Sequence, residues 1–131
     1  MEGFPFTHAE RVRFGDTDLR GHANNAVFLT FLEQARLAWF ETTGGGDASP
    51  TTYRFDVILA RTEIDFRSEL LYDEVVEIGV RVGRIGTTSF DLEYELHAGD
   101  RLVANAKSVL VGFDFELRQS APIPEHWRKR F

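Results

Sequence analysis

Phe90, Leu92, Tyr94 and Leu96 alternate with Asp91, Glu93, Glu95 and His97, the period-two pattern of a strand with one buried face. Val75 to Gly83 repeats the pattern, with Ile78, Val80 and Val82 on one side and Glu77, Gly79 and Arg81 on the other. Gly83 and Gly86, then Ala98-Gly99-Asp100, punctuate these runs with turn residues. Leu102 to Phe115 forms a third run, with a phase slip expected near Lys107 to Val109, read as a bulge. Arg54 to Arg67 and Ala9 to Phe14 complete about five strands. One-sided alternation and hairpin-length turns call for an antiparallel sheet with one covered face.

The covering element is the segment from Asn24 to about Thr42, the one long helical stretch. On a 100° wheel it is apolar nearly all round, with Val27, Phe28, Leu29, Phe31, Leu32, Leu37, Trp39 and Phe40 on different sides. Thr30, Gln34 and Glu41 form its polar stripe. Such a helix is expected to be wrapped by the sheet or sealed between the sheet and a second subunit. Glu33 and Arg36 fall on the covered side with Asn25, either as a mutual pair or as part of a site. Thr42 to Pro50, with three consecutive glycines, reads as a flexible connection. Pro124 to Arg130 reads as a short terminal helix with Pro124 in its first turn.

At 131 residues the chain fits one domain, 1–131, of class α+β, and its 43% hydrophobic content supplies one core. It contains no cysteine, which removes disulfides, thiolate metal sites and cysteine nucleophiles and makes a cytoplasmic setting the expectation. Apolar stretches are too short to span a bilayer, and no secretory leader is visible. A net charge of −6 without a basic stripe argues against nucleic acid as a partner. His8, His22, His97 and His126 lack metal-ligand spacing, so no metal is expected. There is no G-x-S-x-G elbow, dinucleotide fingerprint or P-loop, and no cofactor is expected.

Chemistry concentrates just ahead of the helix, where residues 13–36 read RFGDTDLRGHANNAVFLTFLEQAR. A helix N-terminus presents unpaired N–H groups and a partial positive charge, which can polarise a carbonyl and hold an oxyanion. Asp18, on the loop feeding that terminus, could act as nucleophile or as base for a water. The same Asp, Asn and Gly residues also satisfy helix capping and turn geometry, so local pattern alone leaves both readings open.

The pattern D-x-D-x-x-G-H-x-N-N, followed by aromatic-x-x-aromatic-x-E-x-A-R, resembles the hotdog-fold acyl-CoA thioesterases of the 4-hydroxybenzoyl-CoA thioesterase-like branch. Asp16, Asp18, Gly21, His22, Asn24, Asn25, Phe28, Phe31, Glu33, Ala35 and Arg36 carry it. Weaker echoes run through Ile64-Asp65-Phe66-Arg67, Tyr72-Asp73-Glu74-Val75 and Thr88-Ser89-Phe90.

The resemblance implies five antiparallel strands wrapped around one central helix. It also implies dimers joined edge to edge, often assembled into tetramers, with each site at a subunit interface. It assigns the catalytic carboxylate to Asp18 and the polarising amide to Asn25; Glu33, singled out by its side of the helical wheel, is a further catalytic candidate. The substrate-binding candidates are His22, Asn24, Phe28, Arg67, Thr88 and Ser89, and the substrate is an acyl-CoA. Phe28 and Phe31 stand where many members carry tyrosine. Arg61, Arg84 and Lys107 join Arg67 as possible phosphate partners. A (de)hydratase acting on acyl thioesters and a non-catalytic acyl-CoA-binding module are the competing readings.

Overall fold

The structure is a computed structural model that describes residues 1–44, 57–129 and 131. Strand β1 (Phe6–Arg11) leads through a 3-10 turn (Phe14–Asp16) to helix α1 (Val27–Trp39), which ends in one π-type turn (Phe40–Gly44). Then follow β2 (Val57–Phe66), β3 (Val75–Ile85), β4 (Ser89–Ala98), β5 (Arg101–Asp114), the short β6 (Gln119–Ser120) and helix α2 (Glu125–Arg128). The main sheet is antiparallel in the order β1-β3-β4-β5-β2, with β6 paired to the end of β5. This curled sheet around one long helix is the hotdog arrangement.

Alternation along the strands builds the core. Every second residue of β4 is buried, so Phe90, Leu92, Tyr94 and Leu96 share the inner face with Val76, Ile78 and Val80 of β3. From α1, Phe28, Phe31, Leu32, Ala35 and Trp39 repeat at intervals of three and four and press onto that face. Burying a side chain such as Leu32 contributes about 1.5–3 kcal/mol, so this stripe anchors the helix.

Among the described residues the helix is not covered all round. Leu29, Glu33 and Leu37 face outward, beside Thr30 and Gln34. Glu33 is therefore not on the covered side, and it has no ion-pair partner among the described residues. Arg36 reaches inward instead and donates to the Tyr94 hydroxyl at 3.3 Å. The pairing of Glu33 with Arg36 is not formed.

Two expected positions move. Strand β1 lies earlier than Ala9 to Phe14, because the chain leaves the sheet at Val12 and turns where the Arg13 amide donates to the Asp16 carboxylate at 2.9 Å. The phase slip of β5 lies at Val103, not at Lys107 to Val109. Leu96 pairs with Ala104 and His97 with Leu102, which leaves Val103 as the extra residue. Its carbonyl accepts from the amides of both Arg67 and Ser68, at 2.8 and 3.1 Å. The apparent slip at Lys107 arose because Ser108, a polar residue, occupies a fully buried inward position. Of the strand expected from Arg54, residues 54–56 lie outside the described residues, as do residues 45–50 of the glycine-rich connection. The terminal helix forms as expected, with Pro124 at its N-cap.

Candidate active site

The loop leading into α1 holds two carboxylates in opposite surroundings. Asp16 is 5% exposed. Its Oδ2 accepts from the Arg13 amide and Nε at 2.9 and 3.2 Å, and its Oδ1 from Nη2 at 3.0 Å. The Arg13 guanidinium therefore holds the Asp16 carboxyl below the ordinary aspartate range. Its backbone carbonyl accepts from the Asn24 amide at 2.8 Å, which ties the turn to the start of the helix. Asp16 is a fastener.

Asp18, two residues on, is exposed. One oxygen, Oδ1, accepts from the amides of Arg20 and His22 at 2.9 and 3.2 Å. Those amides, Arg20's first, hold its carboxyl below the ordinary range, so it is ionised at neutral pH. The Asp18 amide donates to the His22 carbonyl at 2.9 Å, and the Gly21 amide to the Asp18 carbonyl at 3.1 Å. Gly21 has φ +77°, a left-handed conformation that glycine adopts without strain, and the turn closes there. The second carboxylate oxygen, Oδ2, accepts no hydrogen bond among the described residues. The loop thus holds the carboxylate through one oxygen and leaves the other unused by the described residues.

The helix start accounts for its amides one by one. The Asn24 amide donates to Asp16, and the Ala26 amide to the Asn24 side-chain oxygen at 3.0 Å. Val27 and Phe28 donate to the carbonyls of Asn24 and Asn25 at 2.9 and 3.3 Å. The Asn25 amide has no acceptor among the described residues. It sits where the helix dipole adds partial positive charge.

Asp18, Asn25, His22, Phe28 and Arg67 line one cleft of 280 Å³, together with Glu69. Five of the expected site residues therefore come together. Phe28 is fixed edge-on to Phe66 at 5.1 Å between ring centres. Arg67 donates to the Asn105 side chain at 2.9 Å and faces Asp65 at 3.7 Å. Arg61 and Lys107 both pair with Glu63 elsewhere on the sheet. Asn24 works as a cap rather than as a wall of the cleft.

The remaining candidates lie away from it. Glu33 is about 12 Å along the helix from Asn25, at 1.5 Å per residue. It lines a separate cleft with Arg36, Leu37 and Leu59. Ser89 pairs with Val111, whereas the cleft-lining Phe66 pairs with Ala104. Those two positions on β5 are about 23 Å apart at 3.3 Å per residue, so Thr88 and Ser89 stand at the far end of the sheet. Sequence reading missed Glu69, whose carboxylate holds the His22 ring at 3.0 Å. Nothing in the local pattern marks a glutamate in a loop between strands as the partner of a histidine in another loop. Among the described residues, no group of three or more His, Asp or Glu side chains could hold a metal ion. Nor is any helix among them long and apolar enough to cross a membrane.

A curled antiparallel sheet around one long helix, with Asp18 and Asn25 lining one cleft at the helix start, defines a hotdog protein. The chain belongs to the thioesterase-like superfamily, whose family model matches residues 12–131. It is 29% identical over 116 residues to a 1,4-dihydroxy-2-naphthoyl-CoA hydrolase of Synechococcus elongatus, covering 87% of this chain and 85% of the relative. The crystal structure of a Thermus thermophilus thioesterase complexed with coenzyme A and zinc superposes with a TM-score of 0.87 at 36% identity. That match covers 99% of this chain and 93% of the other. A 1,4-dihydroxy-2-naphthoyl-CoA thioesterase from Synechocystis shares the fold, with a TM-score of 0.83 at 22% identity over 95% of this chain and 93% of that one.

Proposed function

We propose that the chain hydrolyses an acyl-CoA thioester to the free acid and coenzyme A, with Asp18 as the essential carboxylate. The observation that carries this reading is the pairing of the free Asp18 oxygen with the unused Asn25 amide on one cleft. A thioester carbonyl seated there accepts from the Asn25 N–H, which stabilises negative charge as it develops on oxygen. Asp18 either attacks the carbonyl carbon or takes a proton from the water that does. On the first route the C–S bond breaks, the thiolate departs with its electron pair, and water then cleaves the Asp18–acyl anhydride to free the acid and restore the carboxylate. On the second, the water oxygen adds directly, the C–S bond breaks and the thiolate departs with its electron pair. The thiolate leaves readily, so no strong general acid is needed. Membership of the thioesterase-like superfamily and the similarity to a naphthoyl-CoA hydrolase support the reaction class. The neighbour complexed with coenzyme A supports the substrate's carrier.

The complete site is that of a dimer. Strand β2 is an edge strand along ten residues, and Ile58, Leu59 and the helix residues Leu29 and Leu37 expose apolar side chains beside it. A second copy pairing along β2 satisfies that edge and covers this surface. It also supplies Thr88 and Ser89, which one chain cannot bring to its own Asp18. Glu33 enters only as a residue of that shared face.

Thiol release from a panel of acyl-CoAs tests the proposal. Asp18→Asn keeps the Oδ1 acceptor and removes the charge, and its turnover falls by about 10²-fold or more. Turnover equal to the parent's sinks the mechanism. Formation of an enoyl chromophore without thiol release would instead favour the (de)hydratase reading, and tight acyl-CoA binding with no turnover the binding module.

A further inference from the structure

Asp18 also borders a second cleft, with a different chemistry. This broad cleft of 1060 Å³ is lined by Phe14, Leu19 and Tyr72, with Gly15, Thr17 and Gly21 as its floor, and Asp18 is its one charged residue. Phe14 is 80% exposed and Tyr72 54%, and Leu19 stands free in solvent. Isolated surface apolar residues are unremarkable, but three large ones converging on a site's carboxylate form a patch that calls for an occupant.

The two rings are held, not trailing. Phe14 sits in the 3-10 turn that Asp16 and Arg13 fasten, and its carbonyl accepts from the Thr17 hydroxyl at 2.7 Å. Tyr72 donates its amide to the Gly21 carbonyl at 3.0 Å, beside Asp73 at φ 68°. Leu71 is tied to Glu74 at 2.8 Å, and Glu74 to Arg101 at 2.7 Å. The rings meet edge to face, 6.0 Å apart at 90°. That geometry leaves the face of one ring open beside the edge of the other, a setting suited to a third apolar group.

We infer that this aromatic cleft seats the acyl group of the substrate, and that the group is a large apolar or aryl one. The inference rests on the thioesterase reading, because it takes the thioester to lie at Asp18. Among the described residues Asp18 is the one bordering both clefts, so a thioester there can extend one arm into each. The cleft with Arg67, Ser68, His22 and Glu69 offers hydrogen-bonding partners to an amide-bearing pantetheine arm. The cleft of Phe14, Leu19 and Tyr72 is mostly apolar: its polar side chains are Asp18, the Tyr72 hydroxyl and the Thr17 hydroxyl, which is already donated to the Phe14 carbonyl, and it suits an apolar arm better than the first cleft does.

Equilibrium binding to the Asp18→Asn protein, with benzoyl-CoA and acetyl-CoA as probes, tests the assignment. Benzoyl-CoA is expected to bind about tenfold more tightly than acetyl-CoA, the scale of discrimination an apolar pocket supplies. Adding Phe14→Ala and Tyr72→Ala brings the two affinities to within about twofold of each other, with acetyl-CoA binding little changed. Leu19→Asp, a change at a fully exposed position, produces the same loss of preference without touching the core. The inference is overturned if there is no preference to lose, if the preference survives these variants, or if Phe66→Ala alone abolishes it. It is also overturned if the double variant changes the oligomeric state and leaves the preference intact, since the rings are then a subunit contact. Failure of the thioesterase reading registers separately, as Asp18→Asn turning over like the parent, and the binding preference still reports on the seat.

Discussion

Asp16 and Asp18 are chemically identical and two residues apart, yet the proposed mechanism and the hydrogen bonds around them predict opposite consequences on removal. Asp16→Ala deletes, at a buried position, the two oxygens that accept three hydrogen bonds from Arg13. The Arg13 amide lies near the surface and can recruit water, so its loss costs about 1 kcal/mol, and the two bonds from the solvent-facing guanidinium together cost about as much again. The expected destabilisation is about 2 kcal/mol, a fall in Tm of roughly 6–10 °C for a domain of this size. Asp18→Asn retains the Oδ1 acceptor for both loop amides, so its Tm stays within about 2 °C of the parent, while turnover falls by about 10²-fold or more. Thermal melting by circular dichroism and thiol release on the same preparations read both axes. The Asp16 effect also carries a sign with pH. Its carboxyl is held below the ordinary value of 3.8, so its contribution is complete above that pH and is lost as pH falls through the lowered native value. The Tm gap between parent and Asp16→Ala therefore narrows below about pH 4. A thermally neutral Asp16→Ala, or an Asp18→Asn enzyme that melts early but turns over normally, would refute the division of roles.

Three further outcomes follow from particular contacts. Gly112 lies in β5 where an added Cβ runs into the Ala121 backbone, and its carbonyl accepts from the Ala121 amide at 2.8 Å. Gly112→Ala forces β5 and the β6 segment apart and costs about 1–3 kcal/mol, read as a lower midpoint in urea unfolding. Leu59→Lys places a charge on the exposed edge strand and shifts the protein from dimer to monomer in light scattering, with activity falling in proportion to the monomer fraction. Because its loop amides hold the Asp18 carboxyl below 3.8, the acid limb of kcat/KM lies below that value, and activity that already declines between pH 6 and pH 5 would assign the limb to another group.

Strand alternation was legible because a sheet with one covered face writes its burial into every second residue, as β4 shows across its whole length. The same rule misled at Ser108. A buried hydroxyl breaks the pattern without breaking the strand, since Ser108 lies opposite Thr62, whose hydroxyl is 3.4 Å away. The real bulge, at Val103, is invisible to alternation because Val103 and Ala104 are both apolar and both buried. On the helix the sequence shows that Leu29 and Leu37 are apolar, but not which surface they meet. A side left exposed and a side packed on the chain's own sheet carry the same residue types.

The site divides along the same line between local and non-local information. Asp18, Asn25 and His22 were found together because one short loop delivers all three to the helix start, and such a loop repeats its geometry wherever its residues recur. Arg67 joined them only because the Val103 bulge captures its amide and directs the chain past the cleft. Glu69 and Tyr72 arrive on that returning segment, and their roles depend on His22 and Gly21 being across the gap, some fifty residues earlier in the chain. What distinguishes Asp18 from Asp16 is the placement of Arg13, which spans the short turn to Asp16 and leaves Asp18 to the loop amides alone. A carboxylate that a cation has already claimed is structural, and one held only by neutral donors keeps its charge available for a substrate.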